Sequence, residues 1–124
     1  MPTDIVIQID GRPFEAELFD TPAATEILRV LPIDAAPEEW GDEFYFAVPV
    51  ALPPDETATT LVDPGDIGYW PPGRALAIFF GPTPLSTDDR PVPASAVNLV
   101  GRLTCDPASL RGARGARQIR VARR

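Results

Sequence analysis

The sequence predicts a mainly β fold, with seven or eight short strands forming either a barrel or a sandwich. Three observations lead to this prediction. Sixteen prolines and nine glycines divide the 124 residues into short apolar runs, as is typical of strands joined by turns. Several of these runs alternate apolar and polar side chains, as half-buried strands do. The longest windows without proline, 38–48, 94–106 and 108–124, exclude long helices.

The first two strands are predicted to form a hairpin. Isoleucines alternate with other residues along 5–9, and Asp10-Gly11 follows as the strongest short hairpin signal. With these two residues as the turn, Ile7 pairs with Phe14 and Ile5 with Ala16. The apolar faces then match, which supports this register and a return strand over 14–19.

One helix is predicted after the hairpin. Thr21 is a suitable N-cap, and Pro22 is favoured at the first helical position. Ala23, Ile27 and Leu31 share one face at helical spacing, and Pro32 ends the helix. This apolar face is expected to cover an open end of the sheet.

The rest of the chain is predicted to add short strands. The run 75–80 is apolar on both faces, so both sides of this strand are expected to be covered. Asp106-Pro107 is expected to start a single helical turn that ends at Leu110. The other predicted strands are 44–48, a weaker one at 57–62, 67–70, 97–104 and a closing strand at 118–121.

The composition limits the chemistry. The length predicts a single domain over residues 1–124. The chain has no histidine, which removes the usual general base near neutral pH and the commonest metal ligand. Its one cysteine, Cys105, has no partner for an intrachain disulfide and is expected to be a structural thiol. We therefore expect no catalytic residue, no metal and no cofactor.

The charge is unevenly distributed. Residues 1–100 hold four arginines and seventeen acidic residues, whereas residues 101–124 hold seven arginines and one acidic residue. The acidic body argues against nucleic-acid binding. The basic tail could still dock on that body. Its arginine cluster could instead contact RNA or an acidic partner, but a last strand with a solvated arginine face is favoured. Because the N-terminus lacks a signal-peptide pattern and no apolar run is long enough to span a membrane, we expect a cytoplasmic protein without membrane contact.

Three blocks of the sequence carry a family resemblance. They are Trp40–Glu43, then Gly65–Gly73 (GDIGYWPPG) followed by an apolar strand, then Pro93–Asn98 (PASAVN). In order and spacing they resemble the small prokaryotic cyclophilin-like family, a domain of unknown function. The resemblance implies a compact, closed β-barrel of about eight strands with one covering helix. It implies no activity, because the Phe-His-Arg strand of true cyclophilins is here Phe44-Tyr45-Phe46.

The turn from Tyr69 to Arg74 is the first candidate site. Tyrosine and tryptophan offer large, rigid contact areas, and a cation beside Trp70 could stack on its ring. The alternative is a tight turn that packs its prolines on Trp70 to close the barrel. The predicted ligand-binding residues are Tyr45, Tyr69, Trp70, Pro72, Arg74, Phe80, Ser95 and Asn98.

Other polar residues are weaker candidates. Ser95 is as readily a loop residue that bonds local backbone. Four carboxylates near turns allow acid–base chemistry, glycoside hydrolysis or Ca²⁺ or Mg²⁺ binding in principle, but turn and cap roles are favoured. These carboxylates are Asp42, Glu43, Asp63 and Asp66.

The sequence leaves three functions open. The favoured one is a non-catalytic binding module for a peptide or small ligand. The second is an enzyme, either a weak peptidyl-prolyl isomerase with Arg74 as its donor or a carboxylate-based catalyst. The third is a structural subunit that self-associates through the turn, so a homo-oligomer is possible.

Overall fold

A computed structural model describes all 124 residues, and nine antiparallel strands form a single sheet. The chain has one α-helix and two 3-10 helices, the latter at Pro71–Gly73 and Pro107–Ala113. The strands are β1 (Thr3–Ile9), β2 (Arg12–Leu18), β3 (Ile33–Ala35), β4 (Glu38–Glu39), β5 (Glu43–Ala47), β6 (Asp66–Trp70), β7 (Ala75–Phe79), β8 (Asn98–Leu103) and β9 (Ile119–Arg123), and α1 spans Pro22–Arg29.

The sheet curls into a half-barrel that stays open. Its strand order is β3-β9-β1-β2-β8-β6-β7-β5-β4, so the two end strands do not pair with each other. The mainly β prediction is confirmed, whereas closure and the count of about eight strands are wrong. The end strands β3 and β4 have only three and two residues. Edges this short offer few free backbone groups to a partner strand.

The N-terminal hairpin has the predicted register. Ile7 lies opposite Phe14 and Ile5 opposite Ala16. Asp10 and Gly11 form the turn with φ values of 49° and 84°, as the hairpin turn with two left-handed residues requires. The three isoleucines of β1 point into the main core, which lies on the inner face of the sheet.

Helix α1 covers this inner face. Thr21 is the N-cap, and its side chain accepts a hydrogen bond from the Ala24 backbone N–H. The helix ends at Arg29, two residues before the predicted end. Its apolar face buries Ala23 and Ile27 in the main core, and Leu31 packs against that core from beyond the helix.

Two sequence predictions need correction. The segment 57–62 is no strand and makes only a single bridge, from Thr59 to Val97. The side chains of Asp55 and Thr59 bond backbone N–H groups two residues on, which favours turns over a ladder. The helical segment after Asp106 runs to Ala113 rather than ending at Leu110.

Strand β7 is buried on both faces, as predicted for residues 75–80. Leu76 and Ile78 point into the main core. Ala77 and Phe79 point to the outer face, where they form a second, smaller apolar cluster with Val62 and Val97. This outer cluster is the base of the candidate site.

The arginine-rich C-terminal segment forms the predicted last strand and also docks on the acidic body. Strand β9 pairs with β1 and β3. Arg120 forms an ion pair with Asp34, and Arg124 forms one with Glu15. None of the helices is both long and apolar enough to cross a membrane.

Two buried polar side chains fix the segment that follows β5. The Tyr69 hydroxyl donates to the Val50 carbonyl at 2.6 Å and accepts from the Leu52 N–H at 3.1 Å. The Asn98 side chain holds the next turn, because its amide donates to the Pro53 carbonyl at 3.0 Å. The Tyr69 hydroxyl and the Asn98 amide, which the sequence analysis predicts to bind a ligand, therefore bond the backbone of the protein itself.

We expect Tyr69→Phe to lower the free energy of unfolding by about 1–3 kcal/mol, because the Val50 and Leu52 backbone groups lose their partner. Chemical denaturation measures the loss. Tyr45→Phe is the matched control, since the Tyr45 ring lines a surface cavity and its hydroxyl contacts the Glu38 side chain rather than the backbone. Equal losses in the two variants would contradict the anchoring role of Tyr69.

Candidate functional site

The outer face of three neighbouring strands carries the candidate site. On β5, Phe44 and Phe46 point into the main core, so Glu43 and Tyr45 point outward. The register places Glu43 opposite Phe79 and Tyr45 opposite Ala77 on β7. On β6, the same alternation turns Trp70 outward, opposite Ala75. The large side chains of Tyr45 and Trp70 thus lie opposite small residues of β7, Ala77 and Ala75.

This arrangement leaves a cavity of about 230 Å³. Strands β5, β6 and β7 supply its base, and the segments around Trp40 and Pro93–Val97 supply its sides. Apart from one carboxylate and the Tyr45 hydroxyl, its lining side chains are apolar or aromatic. The lining residues are Trp40, Glu43, Tyr45, Trp70, Ala77, Phe79, Pro93, Ala94 and Val97.

A tight corner before β5 positions Trp40 and Glu43. The Trp40 N–H donates to the Glu43 carbonyl at 3.0 Å, which closes the turn. Gly41 has a φ of 61°, and a Cβ there would lie 2.8 Å from the Thr83 Cα, so only glycine fits. Asp42 turns away from the cavity and accepts hydrogen bonds from Arg111 and Arg114. The two adjacent carboxylates therefore have different environments.

Glu43 is the one carboxylate in the cavity, and it lacks a counterion. The residue is 7% exposed, and its Oε1 atom has no hydrogen-bond partner. Burial penalises the charged form and raises the pKa of Glu43 from 4.5 to about 7. The side chain can therefore gain or lose a proton near neutral pH.

Trp70 is fixed from two sides. Its Nε1–H donates to the Ser95 Oγ at 2.7 Å. A Cβ on Gly73 would lie 2.6 Å from the Trp70 Cε3, so the indole packs directly on the Gly73 backbone. The GYWPPG turn thus holds one wall of the cavity in place.

The eight residues predicted to bind a ligand are not all in one place. Tyr45 and Trp70 line the cavity, and Ser95 holds Trp70. Tyr69, Asn98 and Phe80 are buried outside the cavity lining, and Phe80 stacks on Phe44 with ring centroids 5.1 Å apart. Pro72 and Arg74 lie exposed on the turn and do not line the cavity. A binding role for any of them stays a prediction.

Sequence reasoning missed Trp40 and Phe79 as site residues and included Glu43 only as a weaker candidate. A signal was present, because strand alternation places Glu43 on the same face as Tyr45. Asp42 and Glu43 were assigned the same turn and cap role, although only Glu43 lies within β5. Phe79 lies opposite Glu43 because of the register between β5 and β7, and the sequence alone does not specify that register.

The remaining polar candidates lie outside the cavity. Asp66 accepts a hydrogen bond from the Asp63 N–H at the start of β6, which is a turn role. Burial raises the pKa of Asp66 above its usual range. Cys105 is a free, half-buried thiol. No group of three Asp, Glu, Cys or His side chains is placed to hold a metal ion.

We expect Glu43→Gln to change how stability depends on pH. Between pH 4.5 and about 7, the folded protein keeps a proton on Glu43 that the unfolded chain releases. The free energy of unfolding of the wild type should therefore fall over this window, relative to the variant. The difference should reach up to about 3 kcal/mol above pH 7. Urea denaturation from pH 4 to pH 9 measures it.

Glu56→Gln is the matched control, because Glu56 is exposed and forms no ion pair. Its stability should follow the wild-type pH dependence. A constant difference between Glu43→Gln and the wild type at every pH would mean that Glu43 titrates alike in the folded and unfolded states.

Comparison with known proteins places the chain in a family. The structure is similar to the solution structure of a hypothetical protein from Archaeoglobus fulgidus, with a TM-score of 0.80 and 35% identity over 99% of this chain and 95% of that chain. No curated protein matches the chain significantly. The model of the family described as cyclophilin-like matches residues 3–122. The resemblance seen in the sequence motifs is thus confirmed, and the chain belongs to the cyclophilin-like family.

Proposed function

We propose that this protein is a non-catalytic binding module whose outer-face cavity takes a small ligand or one side chain of a peptide. The observation that carries the proposal is a preformed cavity with fixed aromatic walls and one buried carboxylate. Mostly apolar clefts with a few placed polar groups are the usual form of ligand sites.

The size of the cavity favours a small ligand. Sites for drug-sized molecules typically span about 300–1,000 Å³. This cavity, at about 230 Å³, is smaller. A compact molecule, or one side chain projecting from a peptide, fits this volume better than an extended peptide segment does.

The rigidity of the walls favours affinity. The Ser95 hydroxyl and the Gly73 backbone hold Trp70, and the turn at Gly41 holds Trp40. A site that is ordered before binding loses less conformational entropy when the ligand arrives. Aromatic side chains held in this way supply much of the binding energy in known interfaces.

The lining gives little support to prolyl isomerisation. That reaction needs a donor to the amide nitrogen, and the lining includes no arginine. Arg74, the donor candidate from the sequence, lies on the exposed turn at the end of the 3-10 helix. A binding role needs no such donor.

A second candidate function is acid–base catalysis by Glu43. Its support is the pKa of about 7, which suits a group that both takes and gives a proton near neutral pH. This alternative requires that a bound ligand be chemically changed. We expect it to be ruled out if ligands identified by binding are recovered unaltered after long incubation, and supported if Glu43→Gln alone stops a conversion.

The test of the binding proposal is an NMR titration with small neutral aromatic compounds and short proline peptides. The two tryptophans give separate indole signals, and both side chains line the cavity. We expect a ligand to shift both indole signals together with the amides of Tyr45 and Val97. Shifts confined to other surfaces, or none at millimolar ligand, would overturn the proposal.

A matched pair of variants localises the binding. Ala94 is exposed at the cavity rim, so Ala94→Leu should obstruct the opening and weaken binding at least about tenfold by steric exclusion. Ala47 is also exposed on the outer face but does not line the cavity, so Ala47→Leu should leave affinity unchanged. Equal affinities in the two variants would place the binding site elsewhere.

A further inference from the structure

We propose that the cavity selects an alkylated ammonium ion, meaning a positively charged nitrogen that carries small alkyl groups. The inference deepens the binding function proposed above and rests on it. Three independent features support it: an unpaired buried carboxylate, an aromatic lining and an absence of positive charge among the lining residues.

The first feature is the missing partner of Glu43. Two neighbouring carboxylates are neutralised within the protein: Asp42 pairs with Arg111 and Arg114, and Glu39 pairs with Arg114. Glu43, by contrast, is more than nine-tenths buried, forms no ion pair and has a buried oxygen without a hydrogen-bond partner. An ionised carboxylate in such a place is costly unless a cation joins it. A cationic ligand would supply that missing charge.

The second feature is the aromatic lining around that carboxylate. Trp40, Tyr45 and Trp70 all contribute to the same cavity as Glu43. Aromatic rings attract cations through their negative faces, with tryptophan the strongest, and cages of this composition bind quaternary ammonium groups. A neutral apolar ligand would interact favourably only with the rings, whereas an alkylated ammonium ion would interact favourably with both the rings and the carboxylate.

The third feature is the sign of the charges that face Glu43. Glu38 on β4 lies opposite Tyr45 on β5 and adds negative potential at the edge of the site. Tyr45 is the other titratable residue of the lining, and burial together with Glu38 raises its pKa above the usual value. The facing part of β7 and the segment 93–97 contribute no charged side chain to the lining. Anionic ligands are therefore disfavoured.

Binding of the cation must be linked to ionisation of Glu43. The raised pKa leaves the carboxyl largely protonated below neutral pH, and the protonated form offers no charge to the ligand. Apparent affinity scales with the fraction of protein in the competent state, so it should rise by up to about tenfold between pH 6 and pH 8. Cation binding should correspondingly release protons near pH 7.

The experiment compares choline with 3,3-dimethylbutan-1-ol, which replaces the trimethylammonium group by a neutral tert-butyl group of the same shape. Calorimetry and the indole NMR signals give both affinities at pH 6 and pH 8. The proteins are the wild type, Glu43→Gln and the charge-matched control Glu56→Gln. A peptide with one trimethyllysine serves as a third probe, since the same group can be free or carried by a protein.

At pH 8 we expect the wild type to bind choline at least about tenfold more tightly than the neutral alcohol. Glu43→Gln should reduce this preference to what the aromatic rings alone provide and abolish its pH dependence, and Glu56→Gln should keep both. Tighter binding of the peptide than of choline would support the proposal and identify a protein-borne source. Tighter binding of choline would support it and identify a free metabolite.

Equal affinity of the wild type for choline and the alcohol would overturn the cation proposal, and so would an unchanged choline preference in Glu43→Gln. In either case the binding function would stand, because the alcohol or the neutral aromatic compounds would still occupy the cavity. If neither the ammonium probes nor the neutral compounds shift the indole signals, both the cation proposal and the binding function fail.

Discussion

Burial of β7 on both faces is the constraint on which the rest of the structure depends. Its inward residues, Leu76 and Ile78, complete the main core, and its outward residues, Ala77 and Phe79, must be covered by something else. The cover comes from Val62, Val97 and the loops that carry them. Because Ala77 is small and lies between Tyr45 on β5 and Gly68 on β6, the cover does not fill the space completely. The cavity is a consequence of this uneven packing.

The same packing creates the chemical character of Glu43. Its position at the start of β5, opposite Phe79, removes it from water without giving it a cation. The free energy of unfolding of a small domain is only about 5–15 kcal/mol in total. The cost of burying one unpaired carboxylate is therefore a substantial fraction of the stability. Asp42, one residue earlier, has the stabilising arrangement of two arginine partners. A group that costs stability beside an open cavity is more simply understood as serving a ligand than as serving the fold.

Local patterns were sufficient to predict much of the fold. The Asp10-Gly11 turn gave the hairpin register, Thr21 gave the start of α1, and the unbroken apolar run 75–80 gave the two-sided burial of β7. The end strands β3 and β4 escaped prediction because they have only three and two residues and owe their existence to the neighbours they pair with. The barrel is open because β3 and β4 do not pair with each other, and no local sequence pattern predicts this.

The site was harder to predict because alternation does not reveal which face is the core. Tyr45 and Tyr69 look alike in sequence, yet Tyr45 lines the cavity and Tyr69 anchors backbone in the interior. Asn98 and Ser95 also have different roles. The Asn98 amide donates to the Pro53 carbonyl, whereas the Ser95 hydroxyl accepts from the Trp70 indole at the cavity. The pairing of β5 with β7, and of β7 with β6, decides which side chains meet at the cavity.

The most direct measurement is a carboxyl-detected NMR titration that follows Glu43 in the folded protein, with Glu56 as the exposed reference. The account predicts that Glu43 titrates with a midpoint of about 7, well above its usual value of 4.5, because the cavity removes its carboxylate from water and offers no counterion. A midpoint close to 4.5 would contradict it, because Glu43 would then be hydrated or paired and the cavity would lack its distinguishing charge.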